Sequence, residues 1–420
     1  MSTARTRELE LPQTARLPWS ARIARGKIFE RIAALPRGRL VIEDAEGTWR
    51  FGSASAREEL VAHVQVTDSA FYHELASGGS VGAAESWVRG HWKTPDLLKV
   101  MQLMAANIDL LNAIDDRSSA LERVALRALH LLNRNSKAGS RRNIEAHYDL
   151  GNEMFALFLD PTMMYSSAIF PHAGATLEEA SRAKLARICR RLELGPDDHL
   201  LEIGTGWGGM AEYAARHTGC RVTTTTISRQ QYDYATQRIA AAGLSERVTV
   251  LLQDYRELEG QYDKLVSIEM IEAVGHRYLP QYFAACNRLL KPEGLMLLQS
   301  ILMPDQRYAR SRHNVDFIQR YIFPGGFLPS TGAIATLTGT HTDMQLIDTL
   351  DITAHYADTL AAWRRRFHAG TEAIRALGYS EDFVRLWDYY FCYCEGGFRE
   401  RVIGTAQFLL AKPQYRPPAA

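Results

Sequence analysis

The pattern of apolar and polar positions divides the chain near residue 139. Beyond Asn143, short apolar runs alternate with longer stretches of helical spacing. The strand-like runs are His199–Ile203, Arg221–Ile227, Arg247–Leu252, Lys264–Ile268 and Leu295–Gln299. Helices are expected between them, as at Met210–His217 and at Ser228–Ala242, where Ser228 suits an N-cap. Such alternation predicts an α/β fold, a mostly parallel, doubly wound sheet covered on both faces. The preceding part reads differently. Residues 1–30 look like a loose arm, and Phe29–Trp92 mixes short strands, Leu40–Ile42 and Leu60–Val66, with glycines. Helical spacing follows at Leu97, Leu98, Met101 and Met104. The expectation is a small α+β domain over residues 1–138, linker included, and a larger domain over 139–420. A helix is expected at Ala120–Asn133, with Arg123, Arg127, His130 and Arg134 along one face and the small, basic linker Ser136–Arg142 behind it. That face suits an anionic membrane surface, or is a solvated face over a core.

Composition narrows the class without naming the chemistry. The hydrophobic share of 46% and charged share of 23% are those of a globular protein. A net charge of +1 points to no nucleic-acid partner, so electrostatic recognition must be local. No apolar run reaches bilayer-spanning length, and the N-terminal arginines flank no apolar signal core, so a cytoplasmic protein is expected. The five cysteines, Cys189, Cys220, Cys286, Cys392 and Cys394, are scattered and form no CxxC pair, which argues against disulfides or zinc.

The most informative stretch is Leu200–Gly209, LLEIGTGWGG. An apolar strand runs into Gly204, Thr205, Gly206, Trp207, Gly208 and Gly209, and a helix follows. Glycines at that edge let the backbone turn sharply and approach a nucleotide. A dinucleotide fold would want a carboxylate about 20 residues on; here that zone reads RVTTTTIS and holds no acid. Asp254, after the third strand, could meet an adenine amino group, and Tyr255 could pack on the ring. Glu269 and Glu272 follow the fourth strand at the same edge, where one buried carboxylate could handle a proton.

Seven segments in order carry a resemblance: His147–Glu153, Tyr165–Ala168, Leu201–Gly209, Leu251–Arg256, Met270–Gly275, Gln319–Gly326 and Tyr389–Arg399. Together they resemble the cyclopropane-fatty-acyl-phospholipid synthase family, from about residue 140 to the C-terminus, with a weaker echo at Glu85–Trp92. The resemblance implies a Rossmann-like class I methyltransferase domain with helical insertions and an N-terminal lipid-binding domain. It implies S-adenosylmethionine as methyl donor, an unsaturated phospholipid in the bilayer as acceptor, and attachment to the inner face of the membrane. A homodimer would suit work on a bilayer.

The family pattern places Tyr165 and Ser166 beside the cofactor, with Gly204, Thr205, Gly206 and Gly208 beneath it. Thr226, Ser228 and Gln231 fall near the second strand, and Asp254 and Tyr255 near the adenine. In the implied reaction a cis double bond takes the methyl, a carbocation forms, and a bound bicarbonate removes a proton as the ring closes. A cation needs a dry pocket and gains from aromatic faces; Tyr165, Phe170, Tyr356, Phe391 and Tyr393 are the candidates. The bicarbonate-holding glutamate and tyrosine match Glu272 and Tyr356. The histidine position carries Gln299, and a cysteine position carries Ser167. Cys394 matches a second family cysteine. The expected arrangement is an anion between Glu272 and Tyr356 that accepts the Gln299 amide. The nearest alternative product is a methylene or methyl-branched chain, and a further one is a lipid-binding protein without activity.

Overall fold

The computed structural model describes residues 17–52, 60–110, 151–312 and 316–417. The chain forms two compact units, Met1–Arg117 and Ser118–Ala420. The expected boundary at residue 138, the basic helix at 120–133 and the linker all lie outside the described residues.

In the first unit, α1 (Trp19–Ile32), α2 (Ala70–Val88) and α3 (Leu97–Ala106) accompany a small sheet. Its strands are β1 (Arg39–Asp44), β2 (Gly47–Phe51), β3 (Val61–Val66) and β4 (Trp92–Lys93), in the order β2-β1-β3-β4. The end of the expected loose arm is therefore helical. Ala21, Ala24, Ile28 and Ile32 of α1 recur at helical spacing and are buried.

The second unit is built on seven strands: β5 (His199–Ile203), β6 (Arg221–Thr226), β7 (Val248–Leu252), β8 (Tyr262–Ile268), β9 (Leu290–Leu302), β10 (Gln345–Asp351) and β11 (Gly404–Ala411). Their order is β10-β11-β9-β8-β5-β6-β7. Pairing is parallel from β9 to β7, while β11 runs antiparallel to both β9 and β10. Neighbouring residues send their side chains to opposite faces. Leu201, Leu298 and Phe408 enter one apolar cluster, and Leu200, Leu297 and Leu409 the other. Helices relevant to the site are α4 (Asn152–Phe158), α5 (Leu177–Arg191), α6 (Gly209–Thr218), α7 (Arg229–Ala241), α8 (Leu279–Leu289), α9 (Thr353–Ala369) and α10 (Glu381–Arg399). Because β5 has β6 on one side and β8 on the other, the winding order of the sheet reverses there. Open sheets of this kind bind ligands outside the carboxyl ends of such strands.

Candidate active site

The glycine loop leaves β5 at that switch. Gly204, Gly206 and Gly208 all take positive φ, at 104°, 51° and 82°, a region L side chains rarely adopt. A Cβ added to Gly206 would meet nothing within 4 Å, so this glycine faces open space. One on Gly209 would strike the carbonyl oxygen of Thr162. One glycine thus keeps room for a ligand and the other serves packing. Beneath the loop, Glu202 is enclosed and pushed up to about 8 by burial. Thr224, its partner across β5 and β6, donates to it at 2.6 Å and meets the Thr205 hydroxyl at 2.7 Å.

The second strand ends in a knot of small polar groups. Thr226 bonds the Gln231 side chain at 2.8 Å, and Ser228 caps α7 by accepting from the Gln231 backbone at 3.3 Å. Asp254 commits both carboxylate oxygens to Arg256, and Tyr255 packs edge-on against Tyr282 of α8. The structure therefore collects Thr205, Thr226, Ser228, Gln231, Asp254 and Tyr255 on three adjacent strand ends.

The carboxylate arrangement departs from the sequence expectation. Tyr356, on α9, donates its hydroxyl to Oε2 of Glu269 at 2.7 Å, not to Glu272. Oε1 of Glu269 accepts from the Gln299 amide at 2.7 Å and from the Ser167 backbone at 2.9 Å. Gln299 also donates to the Ser167 carbonyl oxygen at 3.3 Å. Tyr356 and Gln299, expected with Glu272 around a bound anion, thus converge with the Ser167 backbone on a side chain of the protein itself. Glu269 has φ 50°, a left-handed conformation that costs a non-glycine residue about 1–3 kcal/mol and clusters at functional sites.

Glu272 turns elsewhere. Its Oε1 accepts from Ser300 at 2.8 Å and from the Ile301 backbone at 2.5 Å. Its Oε2 has no hydrogen-bond partner among the described residues. Burial first, then the neighbouring Glu269, push it up to about 8. Burial raises Glu269 as well, opposed above all by the charge of Lys184 and then by its hydrogen bonds. Both glutamates lie deep in the fold, although each residue as a whole is only partly buried. No motif in the sequence marks Lys184. It lies wholly buried on α5, donates to Ser166 at 2.6 Å, and is pulled down to about 8 by burial.

Aromatic side chains crowd the same region. The Tyr165 ring lies 5.2 Å from Phe155 of α4 and 5.2 Å from Trp363, and its hydroxyl meets that of Tyr390 at 3.0 Å. Tyr356 stacks on Phe398. Phe391 packs against Phe158 of the same cluster. Phe170 stacks instead on His355, and Tyr393 packs on Phe317 and Tyr389. Cys394 lies near Tyr356 and Tyr390, and burial raises its thiol far above the usual range. A thiol so held carries no thiolate at neutral pH.

The seven-stranded order, the antiparallel β11 and the glycine loop after β5 define a class I methyltransferase. Solved structures agree. A cyclopropane synthase of Mycobacterium tuberculosis, MmaA2, is 30% identical, with a TM-score of 0.61 over 65% of this chain and 98% of that one. The mycolic acid cyclopropane synthase CmaA1, solved with SAH and CTAB, is 32% identical with the same TM-score and coverage. The sequence profile of mycolic acid cyclopropane synthetases matches residues 135–408. The chain belongs to this family of S-adenosylmethionine-dependent methyltransferases. Two relatives match over most of their length. The tuberculostearic acid methyltransferase UfaA1 of M. tuberculosis is 38% identical over 94% of this chain and 92% of its own. The cyclopropane-fatty-acyl-phospholipid synthase of Escherichia coli is 39% identical over 84% and 88%.

Proposed function

We propose that the protein methylates a cis double bond in a phospholipid acyl chain and that Glu269 takes the proton released. The carboxylate of Glu269 holds the hydrogen bonds from Ser167, Gln299 and Tyr356 that an external bicarbonate would otherwise need. That observation carries the reading. Gly206 leaves open space over the loop, and Tyr165, Ser166, Thr226, Ser228 and Gln231 fit a nucleoside bearing an amino-acid tail. When bound, S-adenosylmethionine supplies an electrophilic methyl on a cationic sulfur.

The π electrons of the acyl chain form the new carbon–carbon bond as the sulfur–methyl bond breaks. S-adenosylhomocysteine leaves, and a cation remains on the neighbouring carbon. The rings of Tyr165, Tyr356 and Trp363 offer electron-rich faces and keep water away. A hydride shift from the methyl-bearing carbon moves the charge there. Glu269 then removes a proton from the new methyl, and its C–H electrons become the π bond of a methylene branch on the chain. Glu272, already holding a proton near neutral pH, adds no second negative charge.

We assign the methylene chain as product because Gln299 and Ser167 depart from the family pattern, and because a relative aligned over 94% of this chain is a tuberculostearic acid methyltransferase. The second reading is cyclopropane formation, in which the proton leaves before the hydride moves. The Escherichia coli relative favours it. Lipid docking falls to the N-terminal unit. There α1 exposes Trp19 and Ile23 beside the exposed Arg22 and Lys27, a pairing suited to an anionic membrane interface.

Expression in a host lacking cyclopropane lipids, followed by proton NMR of the fatty acids, tests the assignment. The two products have equal mass, but only one has vinylidene protons. Glu269→Gln should lower turnover about 100- to 10,000-fold while cofactor binding persists. A fully active variant would remove Glu269 from the mechanism.

A further inference from the structure

Helix α5 sends a second cation toward the site. Arg187, one helical turn after Lys184, donates from Nε to Oε1 of Gln407 at 3.2 Å. Gln407 sits on β11 directly across from Gln299 on β9. Its amide donates to Oε1 of Gln299 at 2.9 Å, and Gln299 donates onward to Glu269 and to the Ser167 carbonyl oxygen. Both glutamines are buried.

A primary amide has a donor end and an acceptor end of nearly equal size, so packing alone does not decide which way it faces. An arginine only donates. Gln407 must therefore show its oxygen to Arg187 and its nitrogen to Gln299. Gln299 must in turn show its oxygen to Gln407 and its nitrogen to Glu269. Turned over, Gln299 would press its oxygen against a carboxylate and a carbonyl with no hydrogen between them. We propose that Arg187 and Gln407 are positioning residues that lock Gln299 as a donor and so keep Glu269 ionised, ready to accept the proton. This rests on the role given to Glu269 above.

The surrounding charges do not substitute for that lock. Lys184 on α5 acts on Glu269 by charge alone, Tyr356 on α9 serves the other carboxylate oxygen, and Glu272 opposes ionisation. Arg187 itself faces Arg190 and Arg191 of α5 and Asp348 of β10.

Gln407→Glu tests the lock at nearly constant volume. The new carboxylate keeps the pair with Arg187 but only accepts, so Gln299 must turn its nitrogen toward it and its oxygen toward Glu269. Turnover is followed against pH with S-adenosylmethionine and vesicles of dioleoyl phosphatidylglycerol, beside calorimetry of cofactor binding and thermal melts. The acid limb of kcat should move up by about one to two pH units, the loss of a hydrogen bond to a charged group. The alkaline plateau and cofactor affinity should hold. Arg187→Met should shift the limb the same way, and Arg187→Lys, which keeps a donor-only cation, should restore it. An unshifted limb in a folded Gln407→Glu protein overturns the proposal; should that variant not fold, an unshifted limb in Arg187→Met does so. Full activity in Glu269→Gln would instead strike the reading of Glu269, leaving the two failures distinguishable.

Discussion

Replacing Lys184 by methionine asks whether the buried ammonium serves the site or the fold. Burial pulls this lysine from its ordinary 10.5 to about 8, so at pH 7 it is charged and its enclosure costs the fold about 3 kcal/mol. Attraction to Glu269 and Asp160 is already within that figure; against it stands one charge-assisted hydrogen bond to Ser166, typically about 1.5–3 kcal/mol. The opposing contributions nearly cancel. Methionine fills similar volume, and Glu269 can bind a proton once its cation is gone. Stability at pH 7 should therefore change by no more than about 1 kcal/mol, the near-balance of those two contributions. The acid limb of turnover should move to higher pH, because the charge of Lys184 is the largest influence holding the Glu269 carboxyl down. Linkage gives a second signature. With a depressed lysine, the penalty is fully present below about pH 8 and is relieved as pH rises toward 10.5. The parent should gain stability across that interval and the variant should not. Urea denaturation at both ends of the interval, with pH-dependent turnover on vesicles, measures both. A variant destabilised by more than about 3 kcal/mol whose folded fraction keeps the parent's pH profile would refute the reasoning.

Glu272 offers a complementary measurement. Its folded carboxyl, pushed to about 8, holds a proton that the unfolded chain releases near 4.5, so stability should decline as pH rises through that window. Glu272→Gln should abolish the decline, gain about 3 kcal/mol at pH 7, and cost far less turnover than Glu269→Gln; equal declines in parent and variant would count against it. At the glycine loop, Gly206→Leu should abolish cofactor binding in a folded protein. Gly209→Ala should lower the melting temperature through its clash with Thr162; calorimetry showing intact binding in the leucine variant would move the cofactor elsewhere.

The parallel strands were legible because strands buried on both faces read as short apolar runs, and β5 lies where the sequence puts it. The long run of β9 was caught only at its centre, since its first residues are partly exposed. Strand β11 mixes Thr405 and Phe408 with alanines, a glutamine and leucines that suit a helix equally well, so its strand signal is weak. In α1 two of the four buried positions are alanines, too small to mark an apolar stripe among the arginines. The choice between Glu269 and Glu272 could not be made from spacing. Three residues apart, they look alike until the left-handed turn at Glu269 aims one carboxylate at Tyr356 and leaves the other to Ser300. Lys184 gave no signal beyond an interruption in a helical face.

The two cations of α5 reach the proton-handling group by different routes, Lys184 by direct charge attraction and Arg187 through Gln407 and Gln299. A rigid rod thus serves as the common datum for both ends of one measurement. Sliding or rolling α5 by a fraction of an ångström would detune the two arms together. A change far along that helix, touching no reactive atom, can therefore act as a single adjustment screw on basicity.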